Sequence, residues 1–202
     1  IPSNFVVYLG IDKDLKELGF YGESIYVFPD YNTKKVLEDI HKDLWPENNP
    51  VKIVTISALD NENNFASKGK SVLILHSTAP YSFFYNILKK STLDYKKVKE
   101  KITNQMIETV KRVIPDIEKY ILFKEAATPV TFEKFTGNHL GSMMGWMPTK
   151  NPFLLSQFNS MKTFIDHLYL NGHWVYPGCG ISNCLLGSYL LSKLILKEAN
   201  LQ

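Results

Sequence analysis

Cysteine is scarce in this chain: Cys179 and Cys184 are the only two in 202 residues. A pair so close together builds no disulfide framework, and it points to a reducing, cytoplasmic setting. No stretch reads as a secretory leader. Long hydrophobic runs are missing too. The stretch from Leu168 to Ser192, free of Asp, Glu, Lys and Arg, is broken by Asn171, His173, Pro177 and several glycines. Its helical part, Ile181 to Ser192, is shorter than the ~20 residues a membrane-spanning helix needs. Net charge is only +3, and the densest basic cluster, Lys96, Lys97, Lys99 and Lys101, alternates with apolar positions like the wet face of a helix. Nucleic acid is therefore not an expected partner. Gly-x-Gly-x-x-Gly and the Walker loop are absent, and neither Ser142 nor Ser188 sits in a Gly-x-Ser-x-Gly elbow. His167, His173, Cys179 and Cys184 lack the short spacings of zinc modules, so the thiols read as inert and no metal is expected. There is no internal repeat.

What is present is 45% hydrophobic residues with 12 Phe and 11 Tyr, enough for one sizeable core or two small ones. Phe5 to Ile11, Ser24 to Phe28 and Val51 to Ala58 read as strands. Ser71 to Ser77 is a continuous apolar run, which predicts a central strand covered on both faces. Lys34 to Leu44 reads as a short helix and Pro46 to Pro50 as a loop. Asp60 to Lys70 is polar and reads as a turn. Asp94 caps a long helix to about Ile114, with Val98, Ile102, Met106, Val110 and Val113 on one side, and Pro115 stops it. Ile117 to Lys124 is a strand candidate. Thr128-Pro129 is an N-cap followed by proline, opening a helix through Phe135. Gly137 to Pro152 is irregular and gathers Trp146 and three methionines, a core or a substrate groove. His76 reads as a satisfied core histidine rather than a base. These connections predict an α+β fold with a mixed or antiparallel sheet and packed helices.

The chain closes with a strand at Leu168–Leu170, a turn from Gly172 to Gly180 and a helix from about Ser182 to Ala199. Leu185, Leu186, Tyr189, Leu190, Leu194 and Ile195 give that helix a broad apolar face. Its N-terminus offers free N–H groups and about half a positive charge. Gly178 and Gly180 let a ligand approach the backbone, and Ser182 is the N-cap this reading expects. Such a turn suits phosphate or a negatively charged ring edge. It also serves as a mere tight connection. Two functions follow: a nucleotide-cofactor enzyme, or an α+β interaction domain whose glycine turn is structural and whose helix packs on a partner.

The segment Leu168-Tyr169-Leu170-Asn171-Gly172-His173-Trp174-Val175-Tyr176-Pro177-Gly178-Cys179-Gly180-Ile181 resembles the C-terminal flavin-contacting signature of phytoene desaturase-like FAD-dependent oxidoreductases. Their usual form is LYLxG, a short variable stretch, then PGxGxxG. Thr128-Pro129-Val130-Thr131-Phe132 with Phe135-Thr136-Gly137, the Asp60 to Lys70 turn and the Gly141 to Gly145 loop resemble other segments of the same family. The resemblance implies a discontinuous FAD-binding domain. Residues 1–150 would belong to the substrate-binding domain, and 151–202 would be the strand-turn-helix that returns to complete the FAD domain. The N-terminal FAD-binding half would be a missing partner, in keeping with a chain that begins Ile-Pro-Ser without Met. By the resemblance Gly172, His173, Pro177, Gly178, Gly180, Ile181 and Ser182 contact FAD, which this portion alone would not hold tightly. His173 departs from a position often acidic in relatives, and Asn183-Cys184 is a second departure. The implied substrate is an apolar, polyene or isoprenoid-like small molecule, with peripheral membrane contact and homo-oligomerisation as further implied associations. No catalytic residue is assigned.

Overall fold

A computed structural model describes residues 3–32, 34, 38, 45, 49–57, 66–145, 161–175, 177–178 and 180–199. The helix expected over Lys34–Leu44, most of the loops at 46–50 and 60–70, the Trp146 cluster, Cys179 and the boundary at 150/151 lie outside the described residues.

Five strands, β1 (Asn4–Ile11), β2 (Ser24–Val27), β3 (Val51–Ser57), β4 (Ser71–Thr78) and β5 (Ile121–Ala127), form one sheet in the order β2-β3-β4-β1-β5. Every pairing is antiparallel. Side chains in a strand alternate between faces. Phe5, Val7, Leu9 and Ile11 of β1 therefore join Val51, Ile53, Leu73 and Leu75 in one core. Helices α1 (Tyr81–Lys90) and α2 (Thr92–Lys111) cover that face with Phe84, Ile102, Met106 and Val110. The α+β fold is as the sequence predicts.

Several details differ. Only one face of β4 is fully buried: Ser71, Leu73, Leu75 and Ser77 are buried, while Val72, Ile74 and His76 are half-buried. His76 is accordingly not a core residue. Ser91, not Asp94, caps α2; its hydroxyl accepts the Asp94 N–H at 3.1 Å. The helix ends at Lys111, before Pro115 can act. A 3-10 turn, Ile117–Tyr120, precedes β5 where a strand was expected to start. Helix α1 escapes the sequence pattern because Pro80 gives it no side-chain cap and its Tyr81, Phe83, Phe84 and Tyr85 favour strands.

Thr128 caps α3 (Pro129–Thr136) as predicted. Its hydroxyl accepts the Thr131 N–H while the Thr131 hydroxyl accepts the Thr128 N–H, a reciprocal capping box. Gly137 then ends α3 in the left-handed region. Residues 161–170 fold back on themselves, with Leu170 N–H donating to Met161 O at 2.8 Å. The strand expected at Leu168–Leu170 is reduced to one bridge, Lys162 with Tyr169, because His167 turns the chain at φ 63°. The last helix, α4, is Ile181–Glu198. Among the described residues no helix is long and apolar enough to cross a membrane.

Candidate functional site

The site grows from the end of α3. Asn138 follows the helix and makes two side-chain bonds: its Nδ2 donates to Ser142 O at 3.1 Å, and its Oδ1 accepts Trp174 Nε1–H at 3.3 Å. The Ser142 hydroxyl, buried, donates to Gly145 O at 2.9 Å. At the other side Ser3 donates its hydroxyl to Gly141 O at 2.6 Å. The loop 138–145 is thus fixed to the first strand and to the glycine turn together. Contact with the turn is close. A Cβ on Gly145 would lie 2.1 Å from His173 O, so only glycine lets the two backbones meet.

Beyond that contact, the His173 ring packs edge-on against Trp174 at 5.2 Å, and Val175 N–H closes on Gly172 O at 3.1 Å. Gly172, Gly178 and Gly180 all have positive φ. Gly180 differs from Gly145 in what it faces. A Cβ there would meet nothing within 4 Å, so its conformation and not its packing demands glycine. It is the N-cap of α4 and supplies no side-chain hydrogen bond to the first turn, which carries no acidic residue. Neither the cap residue nor an acidic side chain of the first turn offsets the positive end of the helix dipole there.

In front of this helix start lies an open groove of about 330 Å³, lined by Met143, His173, Gly180, Ile181, Cys184, Leu185 and Ser188. Of the residues expected to contact a cofactor, the structure brings His173, Gly180 and Ile181 into that lining. Gly172, Pro177 and Gly178 are in the turn leading to it. Ser182 is not the cap but the second residue of α4, because Gly180 already leaves helical geometry at ψ 157°. Met143, Cys184 and Ser188 were not foreseen. Their only signal was helical spacing from Gly180 and proximity of the Gly141–Gly145 loop. Among the described residues no three His, Cys, Asp or Glu side chains converge on a metal position.

Two anchors hold α4. Asn171 Nδ2 donates to Ser188 Oγ at 2.8 Å. At the far end Glu198 takes Lys162 at 2.6 Å on one oxygen and the Tyr169 hydroxyl on the other. The hydrogen bonds from Lys162, then Tyr169, hold the Glu198 carboxyl below its usual range. A depressed carboxylate stabilises the fold above its unfolded pKa, about 4.3, and loses that contribution as pH falls through the folded value. Acidification below that range should therefore lower the protection factor at Leu170, measured against the intrinsic exchange rate at each pH, and Glu198→Gln should reproduce the change at neutral pH. Exchange at Leu170 that ignores both would remove the clasp from the account. The apolar side of α4 is left open: Ile181 is 82% exposed, Leu185 67% and Tyr189 58%.

No model of a known protein family matches the chain. Individual proteins do. It is 27% identical to the all-trans-retinol 13,14-reductase of Danio rerio over 207 residues, covering 97% of this chain and 34% of that one. Chloroplastic prolycopene isomerase of Daucus carota is 26% identical over 182 residues, 89% of this chain and 27% of the relative. The 4,4'-diaponeurosporene oxygenase of Staphylococcus aureus (strain MW2) is 24% identical over 203 residues, 98% and 38% respectively. The chain is a homologue of the phytoene desaturase-like enzymes. Alignments of this reach take in both the sheet and the groove, so the likeness is not confined to the glycine turn. The chain spans about a third of the length of these phytoene desaturase-like relatives.

Proposed function

We propose that this chain supplies the closing part of the flavin site in an FAD-dependent oxidoreductase or isomerase of an apolar polyene or isoprenoid substrate. The observation that carries it is the groove before α4, where Gly180 faces open space at a helix start whose own cap residue makes no side-chain hydrogen bond. In this reading residues 1–150 belong to the substrate-binding domain, 151–202 return to the FAD-binding domain, and the partner is an N-terminal FAD-binding half. The likeness to a retinol reductase and a prolycopene isomerase supports a polyene substrate.

The residues present fit such a cofactor. Gly180 lines the groove, and a Cβ there would meet only open space. Gly172, His173, Pro177, Gly178, Gly180, Ile181 and the Ser182 backbone would hold it. When bound, FAD supplies the hydride chemistry. The chain's own part is positional. The N-terminus of α4 aims N–H groups and positive dipole at the ring edge, which favours negative charge there. Met143, Ile181 and Leu185 give the same groove an apolar lining. His173 offers an imidazole at the rim in place of a carboxylate.

Titrating FAD into the purified chain tests this. The expected result is weak, saturable quenching of flavin fluorescence that Gly180→Val abolishes. A tight, stoichiometric yellow complex would overturn the view that the site is incomplete, and quenching indifferent to Gly180→Val would take the flavin out of the groove. The exposed side of α4 also supports a second reading, an interaction domain whose α4 packs on a partner. Sizing chromatography separates the two: self-association abolished by Leu190→Lys favours the second, and a monomer unaffected by that change counts against it.

A further inference from the structure

Arg112 is the only arginine in the chain. It caps the C-terminal end of α2. The acids near it in sequence are taken: Glu108 and Glu118 hold Lys111 at 3.0 and 2.9 Å, and Asp116 holds Lys119 at 2.9 Å. Among the described residues no carboxylate pairs with the guanidinium. Arg112 instead lines two adjoining hollows. The inner one, about 70 Å³, lies at the edge of the core against Trp45, Asn49, Val51, Gln105 and Met106. The outer one, about 360 Å³, is walled by Tyr26, Phe28, Pro29, Asp30 and Tyr31. Neither shares a residue with the groove before α4.

The inner recess holds hydrogen-bonding capacity that the fold leaves unused. Asn49 Nδ2 donates to Thr78 O at 3.1 Å, which fixes how the amide lies, since a flipped amide would set two oxygens together. Asn49 Oδ1 is then buried, and among the described residues nothing donates to it. A buried acceptor without a donor is costly, so a partner from outside gains more there than at the surface. The half-buried Gln105 side-chain amide likewise finds no hydrogen-bond partner among the described residues. The recess thus lacks a donor for Asn49 and an anion for Arg112. At about 10–15 Å³ for each water-sized group, it takes a polar head of a few atoms and no chain.

The outer cup differs in character. Phe28 and Tyr31 are exposed there beside Pro29, a flat apolar surface open to a ring. Tyr26 is already engaged, with Lys52 over its ring at 5.3 Å. Asp30 and Arg112 are the charged residues of the two linings, one of each sign, which suits a zwitterion better than a bare anion.

We propose that the two hollows form a binding site for a free α-amino acid with an aromatic side chain. Its carboxylate pairs with Arg112 at the boundary, through the two parallel hydrogen bonds that a guanidinium fork offers. Its ammonium donates to Asn49 Oδ1 in the recess, and its ring lies against Phe28 and Tyr31. Donor and anion hang from one carbon, so both fit a space too small for a chain. The site does not depend on the flavin reading. Bound there, the ligand joins the end of α2 to both ends of the β2–β3 connection.

Calorimetric titration of the purified chain with L-phenylalanine tests this, with the Trp45 indole resonance as local reporter. Saturable binding that shifts that resonance is expected. Arg112→Met should weaken it about tenfold or more, and Arg112→Lys should restore only part, because the fork is gone. Arg112 is exposed, so both variants should keep the wild-type urea midpoint. A ligand series on the unaltered chain reads the other contacts. Phenylalaninamide lacks the carboxylate and 3-phenylpropionate lacks the ammonium, and each should bind about tenfold more weakly. N-acetyl-phenylalanine should be rejected, because its acetyl group overfills the recess. No binding of phenylalanine, binding indifferent to Arg112→Met, or 3-phenylpropionate as tight as phenylalanine would overturn the proposal. Tighter binding of N-acetyl-phenylalanine would overturn it too, giving the site to the carboxyl end of a peptide. Phenylalanine binding lost on Gly180→Val would move the ligand to the α4 groove and remove this site, whereas binding that survives that change leaves it standing whatever becomes of the flavin.

Discussion

Gly145→Ala is expected to release the glycine turn from the sheet at a cost of about 3 kcal/mol, the sum of left-handed backbone strain and a backbone clash. The new methyl would lie 2.1 Å from His173 O and 2.9 Å from the same carbonyl carbon. Neither atom belongs to a flexible side chain, so the whole strand of contact has to move. With it goes the Trp174–Asn138 bond, and Met143 parts from His173 across the groove. The effect should be regional. Amide exchange should accelerate at Val175 and in the loop 138–145, and the indole signal of Trp174 should shift, while protection in β1 and β4 persists. Wild-type exchange at Val175 in the variant would show that the close approach is not what joins loop and turn.

Phe84→Ala should act on the other half of the molecule and act globally. Phe84 is fully buried, stacked on Phe5 at 5.6 Å, and edge-on to Phe83 at 5.0 Å and Trp45 at 6.2 Å. Truncating a buried phenylalanine costs about 3–5 kcal/mol, and losing the ring pairs pushes it to the upper end. A domain with 5–15 kcal/mol in total loses a large part of its stability. Urea denaturation should show a lower midpoint with an unchanged slope. Phe84→Leu should cost far less because it nearly conserves volume. If alanine and leucine variants melt alike, the aromatic cluster is not the centre of the core.

Where local chemistry decides structure, the sequence was readable. Alternation in Val51–Ser57 and the Thr128-Pro129 cap each depend on residues within a turn of one another, and both are found as read. The groove depends on distance. Asn138 and Trp174 are 36 positions apart, and nothing in either residue's neighbourhood announces the other. Gly145 looked like one of several loop glycines, and only its approach to His173 gives it a task. His76 was misjudged because an apolar run says nothing about which of its faces is covered. Ser182 was misplaced by two positions because glycine can cap a helix without a side chain. Sequence pattern therefore located the glycine turn and left its surroundings to the fold.

The hydrogen bond from Ser3 to Gly141 closes a span of 138 residues, whereas Asn171 and Ser188 are separated by only 17. Closing a longer loop forfeits more chain entropy, and contacts distant in sequence form later. The hairpin-and-helix unit after residue 160 can assemble on its own timescale. The loop beside the groove, held by the longer closure, is expected to order after that unit, once β1 and β4 have met.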